Sequence, residues 1–274
     1  IDFDLEAPGL SFLMPTASDS STLGLLDYLH QRYLTPDIDV PTINECIRQV
    51  PLDTRGEIFL VPAGEYDENY IHRLADLEVR LFYQRDNNPI HQLFADIKKN
   101  LEPDVILIDA RTGFNEMGAV ALFDQADLGV ICFTPTNQSF EGLQWVVQAA
   151  NKQRKYQGIP DLRFLVTPMP PVAQSQQQLW MARTYEWIAS NWDIPSALMV
   201  EEICYQIPYN PNISTLATVG EDLPISLLDP YTPIADAIFA SLPETKSSSA
   251  TNFTNYRDSA IDELQFRAST AQEM

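Results

Sequence analysis

Asp109 closes an apolar run, Asp104-Val-Ile-Leu-Ile-Asp109, and is followed by Ala110-Arg111-Thr112-Gly113. Such a run reads as a parallel strand buried on both faces. An acid at the carboxyl end of a central parallel strand lies over the crevice where open α/β sheets bind ligands. Holding Mg²⁺ for a nucleotide phosphate is one of the few uses a carboxylate has there. Asp2 and Asp4 stand two residues apart at the end of another strand-like segment, so both side chains point to one face. Two acids near a third fit a Mg²⁺ ion and an activated water. The blander reading of either acid, Asp2 above all, is a turn cap.

The remaining candidates are weaker. His30, His72 and His91 are far apart and lack ligand partners, so they read as surface or core residues. Cys46, Cys132 and Cys204 are scattered, and their spacing fits no metal site. That pattern points to reduced thiols and a cytoplasmic setting. Trp180, Trp187, Ile188 and Trp192 follow a helical spacing and read as core rather than as a base-stacking platform. Asp19, Asp37, Asp39 and Asp53 read as a solvated acidic face.

The elements that would position the acids alternate. Strands are expected at Ile1–Asp4, Glu57–Pro62, Asp104–Asp109, Leu128–Phe133, Leu162–Val166 and Val200–Ile207. Helices are expected at Thr22–Tyr33, Tyr70–Tyr83, Ile90–Leu101, Met117–Phe123, from Phe140 to Ala150, at Leu179–Trp192 and at Ile234–Leu242. Residues 35–55 read as a loop with a short helix. The alternation predicts an α/β fold with a mainly parallel sheet. Parallel strands would deliver the loops after them to one edge, among them Ala110–Gly113, Thr134–Asn137, Thr167–Pro168 and Pro208–Asn210. Residues 1–242 read as one domain, and 243–274 as a polar linker or disordered tail with a short helix at Ser259–Ala268.

Charge narrows the function. The 274 residues carry 38 Asp and Glu against 17 Lys and Arg, a formal net charge of −21. That opposes binding to nucleic acid and to anionic membranes. No apolar run reaches the roughly 18–20 residues of a membrane span. The acids of the terminal segment also speak against a membrane-binding helix there.

Several motifs, in order, resemble the MinD/ParA family of P-loop ATPases. Ile1-Asp2-Phe3-Asp4-Leu5-Glu6-Ala7-Pro8-Gly9-Leu10 resembles its switch I, closest to the subgroup whose phosphate loop reads KGGVGR. Ile108-Asp109-Ala110-Arg111-Thr112-Gly113 resembles its Walker B strand and switch II. Phe133-Thr134-Pro135-Thr136 resembles the next strand and loop. Ile207-Pro208-Tyr209, Gly220, Leu223-Pro224 and Ile234–Leu242 resemble its C-terminal part. The resemblance covers residues 1–242.

It implies a three-layer α/β/α P-loop NTPase fold, with helices on both faces of the sheet. It also implies ATP and Mg²⁺ as cofactors, slow hydrolysis, and a homodimer formed across ATP that signals to a protein partner or fused domain. By matched position, Asp4 would place the attacking water, Asp2 would be the neighbouring acid near Mg²⁺, and Asp109 would hold the metal together with Asp4. Arg111, Thr112 and Gly113 would lie at the γ-phosphate. Thr167, Pro168, Pro208, Tyr209 and Asn210 would lie at the base. Thr167-Pro168 stands where many members carry an asparagine. Arg111 is unusual in switch II and reads either as a phosphate or partner contact or as an ion-pair member. No GxxxxGK[ST] or KGGxGK pattern occurs in the 274 residues, so the resemblance places the phosphate loop before Ile1. This chain by itself is then expected to bind ATP poorly. Two other functions compete: an ATP-dependent amidase or synthetase on the same fold, and a non-catalytic scaffold.

Overall fold

Asn88-Pro89 starts a helix in the way the residue types dictate: the Asn88 side chain accepts the Ile90 N–H at 2.9 Å, and Pro89 occupies the first turn. The helix then buries Ile90, Leu93, Phe94 and Ile97, an i, i+3, i+4, i+7 stripe. The structure, a computed structural model, describes residues 1–14, 23–35, 41–51, 56–214 and 225–241. The expected acidic face at Asp19, Asp37, Asp39 and Asp53, the motif residues Gly220, Leu223 and Pro224, and the tail 243–274 lie outside the described residues.

The chain divides into two units. The first comprises Ile1–Ala121 with Asn210–Leu228, the second Leu122–Tyr209 with the chain from Asp229 onward.

In the first unit the order is α1 (Leu10–Leu13), α2 (Leu25–Leu34), α3 (Ile43–Cys46), β1 (Arg48–Val50), β2 (Ile58–Leu60), α4 (Tyr70–Ala75), α5 (Val79–Phe82), α6 (Pro89–Leu101) and α7 (Glu116–Val120). The core gathers Phe3 and Leu5 with Leu25, Leu26 and Leu29 of α2, Ile90, Leu93, Phe94 and Ile97 of α6, and Met117 of α7. Tyr28 donates its hydroxyl to Asp96 at 2.7 Å, and Arg32 reaches the same oxygen at 3.3 Å, so α2 is tied to α6 by polar as well as apolar contact. Leu25 and Leu26 at the start of α2 donate their N–H groups to the carbonyls of Pro62 and Ala63, which satisfies two of the helix's orphan donors.

The structure departs from several expectations. Residues 35–55 contain a strand, β1, besides the short helix α3. Its partner β2 runs antiparallel to it, with Gln49 opposite Phe59, so the Glu57–Pro62 strand is half of a hairpin. Three-residue strands are too short for their alternation to declare direction. The helix expected over Tyr70–Tyr83 is two helices, broken at Asp76–Glu78, where the chain turns.

Asp104–Asp109 is not buried on both faces, and Leu107 is 69% exposed. The segment pairs along one edge only, through a parallel bridge between Asp2 and Asp109. Backbone groups of a strand alternate between its two edges. Those of Leu107 and Asp109 bond to Ile1 and Phe3. Those of Ile106 and Ile108 face the opposite edge, with no backbone partner among the described residues.

In the second unit the order is β3 (Leu128–Phe133), α8 (Asn137–Gln157), β4 (Asp161–Met169), α9 (Gln174–Asn191), α10 (Val200–Ile203) and β5 (Cys204–Pro208). The strands form a parallel sheet with β4 in the middle, registered Ile131 to Phe164 and Phe164 to Cys204. The central strand buries every residue from Leu162 to Val166, Arg163 included, as a strand covered on both faces should. An aromatic cluster of Phe133, Phe140, Phe164, Trp187 and Trp192 fills the core with edge and tilted contacts. Trp187 and Trp192 therefore belong to the core, as their spacing predicts, and the half-buried Trp180 packs against it. The strand expected over Val200–Ile207 opens with one helical turn, α10, before β5 begins.

The short helices α11 (Pro211–Ser214) and α12 (Ile225–Leu228) follow, and α13 (Thr232–Ser241) closes the described chain, burying Ile234 beside Leu165 and Ile207. The fold is thus mixed α/β with a three-stranded parallel sheet, as the alternation of elements requires.

Candidate functional site

The Ile1–Phe3 segment lies between two neighbours. Asp2 donates its N–H to the Val61 carbonyl at 3.0 Å on one side. On the other, Phe3 donates to the Asp109 carbonyl at 2.8 Å and Asp109 donates to the Ile1 carbonyl at 2.9 Å. Phe3, 1% exposed, locks the segment by packing edge-on against Phe94 of α6. This pairing puts the carboxyl ends of two parallel segments side by side, with Asp2 level with Asp109. Asp4 follows on the loop.

The three acids differ in what surrounds them. Asp2 is fully buried, and both of its carboxylate oxygens accept backbone N–H groups, from Asp4 and from Leu10, each at 3.2 Å. Burial pushes its pKa up to about 6; the Leu10 N–H works against that shift, and the Asp109 charge adds to it. Asp4 is half-buried and accepts the Ala7 N–H at 3.0 Å through one oxygen. Burial also raises the pKa of Asp109, and the charge of Asp4 raises it further, so these two carboxylates repel one another. Asp109 is within electrostatic reach of both Asp2 and Asp4.

Among the described residues, no group of three or more His, Cys, Asp or Glu is placed to hold a metal alone. Mg²⁺ demands less than that: it keeps several waters and takes one or two carboxylates together with phosphate oxygens. Asp4 keeps one carboxylate oxygen without a hydrogen-bond partner among the described residues and Asp109 is exposed, so each is chemically able to serve as such a carboxylate. Asp2 does not offer a free oxygen. Its geometry organises the Asp4–Leu10 loop.

Two loops frame these acids. In the first, Tyr70 donates its hydroxyl to the Leu5 carbonyl at 2.7 Å, and Tyr66 stacks between Tyr70 and the exposed Phe12. In the second, Gly113 takes a left-handed φ of 84°, which suits glycine, and Asn115 caps α7 by accepting the Gly118 N–H at 2.6 Å. Thr112 and Gly113 are exposed there. Arg111 pairs with Glu6, joining the two loops. Sequence reasoning expected an acid as one partner of Arg111 but did not single out Glu6, which is distant in the chain. The aromatic ladder of Phe12, Tyr66 and Tyr70 was missed as well, since no periodicity links residue 12 to residues 66 and 70.

The residues expected at a base are grouped in the second unit, apart from Asn210. Thr167 and Pro168 lie inside β4, where its pairing with β5 shifts register between Val166 and Met169, so they are not a loop after the strand. Tyr209, just past Pro208 at the end of β5, donates its N–H to the Met169 carbonyl at 2.8 Å and leaves its ring about half exposed. Asn210, counted with the first unit, accepts the Asn212 N–H through its side chain at 3.0 Å. Among the described residues no helix is long and apolar enough to cross a membrane. No protein-family model matches the chain, no curated protein matches it, and no solved structure matches its fold.

Proposed function

We propose that this chain is part of a MinD/ParA-like ATPase, a cytoplasmic protein that binds Mg²⁺-ATP and hydrolyses it slowly. It acts as a nucleotide-dependent dimerisation switch for a protein partner or a fused domain. The observation that carries this reading is the parallel bridge between Asp2 and Asp109, which sets two strand-end acids side by side with Asp4 on the following loop. Bound Mg²⁺ would neutralise phosphate charge where it builds up during transfer. Asp109 and the free oxygen of Asp4 are the groups to hold it.

Asp4 would also orient a water, and Asp2 would fix the backbone that presents Asp4. Gly113 and its neighbours would offer backbone to the γ-phosphate. The three-layer α/β/α arrangement belongs to the proposal too. The unpaired edge at Ile106 and Ile108 could receive a further strand, such as the one that carries a phosphate loop in the resembled family. The reading requires such a loop from outside these 274 residues, because none of them spells one.

The test is phosphate release by the protein carrying that loop, compared with its Asp4→Ala and Asp109→Asn variants. Asp4→Ala should cost on the order of 100-fold in turnover with ATP still bound. Asp109→Asn should weaken Mg²⁺-dependent binding. Unchanged release in Asp4→Ala would remove the assignment. Micromolar ATP binding by the 274-residue chain alone would refute the need for the loop.

A further inference from the structure

A cavity of about 190 Å³ opens in the first unit between the two loops. Its walls are Phe3, Leu5, Leu74, Leu77, Val79 and Met117, and its rim is Arg111, Glu6, Asn115 and Glu116. Pockets for drug-sized ligands run to about 300–1,000 Å³. This one is the size of a single large apolar side chain. It is too small for a nucleotide.

The rim decides which side chain's neighbours would be welcome. Arg111 pairs with Glu6, so those two charges cancel. Glu116 is exposed and has no cationic partner among the described residues. The rim is therefore net negative, on a chain whose total charge is −21. Apolar surface continues at the margin, since Phe114, the residue before Asn115, is 69% exposed. A partial cage of apolar walls with an acidic rim is complementary to an apolar residue flanked by basic ones, and the field of the whole chain steers the same partner.

We propose that this cavity is the anchor site for a partner protein, seating one leucine-like side chain while a neighbouring Lys or Arg of the partner meets Glu116. The occupant touches Leu5 and Glu6 of one loop and Arg111 and Asn115 of the other, so it bridges the segments that follow Asp4 and Asp109. The proposal does not depend on nucleotide binding by those acids.

Methyl-labelled protein, without nucleotide, is titrated with acetyl-Lys-Leu-Lys-amide, acetyl-Glu-Leu-Glu-amide and acetyl-Lys-Ala-Lys-amide, and the methyl resonances of Leu74, Leu77, Val79 and Met117 are followed. The first peptide should shift them. The other two should bind about fivefold or more weakly, one for its charge and one for its missing anchor. Val79→Phe fills the cavity and should abolish the response. Should that variant fail to fold, Glu116→Lys, a surface change, gives the second arm: it should reverse the preference between the lysine and glutamate peptides. No shift at these methyls, equal response to all three peptides, or a preference untouched by Glu116→Lys would overturn the proposal.

Discussion

Asp2 and Asp109 sit level with each other on two parallel segments, joined by the Phe3 N–H to Asp109 carbonyl and Asp109 N–H to Ile1 carbonyl bonds. One of the pair is sealed from solvent and held by backbone donors; the other is exposed at the segment's end. Asp2 thereby organises the backbone of the Asp4–Leu10 loop, while Asp109 stays open to solvent.

Asp2 should make the protein less stable as pH rises through the weakly acidic range. Its pKa climbs from 3.8 to about 6 on folding, chiefly through burial. From about pH 4 to about pH 7 the native state holds more protons than the unfolded state, so the unfolding free energy falls with rising pH as it passes through the folded pKa of about 6, and the cost is complete about one unit above that value. The shift sets a ceiling of about 3 kcal/mol on that cost. Asp2→Asn removes the titration. Denaturant melts of both proteins at several pH values should show the stability difference, wild type minus variant, decline from about pH 4 through pH 6 and level off near pH 7. A flat difference would show that Asp2 keeps an ordinary pKa.

Gly24→Ala should be costly although the residue looks like a plain helix-start glycine. A Cβ there would lie 2.5 Å from both the Gly64 nitrogen and the Pro62 carbonyl oxygen. Both are backbone atoms and cannot swing away. The same approach lets α2 bond to the Pro62 and Ala63 carbonyls. The substitution should cost about 2 kcal/mol or more by forcing α2 off its seat, within the range for overpacking. A melting temperature unchanged from wild type would contradict the close approach.

Much of this architecture is legible in the sequence, and the reasons for the rest are physical. The stripe Ile90, Leu93, Phe94, Ile97 and the Asn88-Pro89 start reveal α6 because a helix repeats its signal over several turns. The parallel sheet of the second unit is legible from long apolar runs separated by long helices. The β1–β2 hairpin is not, because Arg48–Val50 and Ile58–Leu60 are too short to show alternation. Asp104–Asp109 reads as doubly buried because apolar residues reveal a preference for burial, not whether a neighbouring strand is there to provide it. The acids stand out in the sequence because they end such runs. The Glu6–Arg111 pair does not, since contact between residues 105 positions apart leaves no trace in local pattern.

The thiols should separate cleanly by reactivity. Burial pushes Cys46 and Cys204 up to about 12, while Cys132 is exposed on β3. Thiolate is the nucleophile, so the two buried groups should be inert at neutral pH. A maleimide reagent should label one cysteine quickly in the native protein and all three after denaturation, with peptide mapping placing the first label on Cys132. Rapid labelling of Cys204 would mean that β5 opens readily.

The core of the second unit depends on Phe164, which is fully buried on the central strand between Trp187 and Trp192. Phe164→Ala should cost about 3–5 kcal/mol, the usual range for emptying a packed aromatic site. Because both neighbours are tryptophans, intrinsic fluorescence should report the change in packing together with the earlier melt. A loss under about 1 kcal/mol would mean that the cluster collapses into the cavity.

Arg111 can be tested against its own partner. Its guanidinium and the Glu6 carboxylate are both more than a third exposed, so their pairing should contribute less than about 1 kcal/mol to stability. Arg111→Ala and Glu6→Ala should therefore melt close to wild type. Their effects on turnover differ by mechanism. If Arg111 serves only to hold Glu6 and join the two loops, the two single variants and the double variant should have the same phosphate-release rate, because each removes the same contact. If Arg111 reaches a phosphate when nucleotide binds, Arg111→Ala should slow release on its own, and Glu6→Ala should free the guanidinium and leave release intact or faster. Rates measured for the three variants in the protein carrying the phosphate loop separate these outcomes.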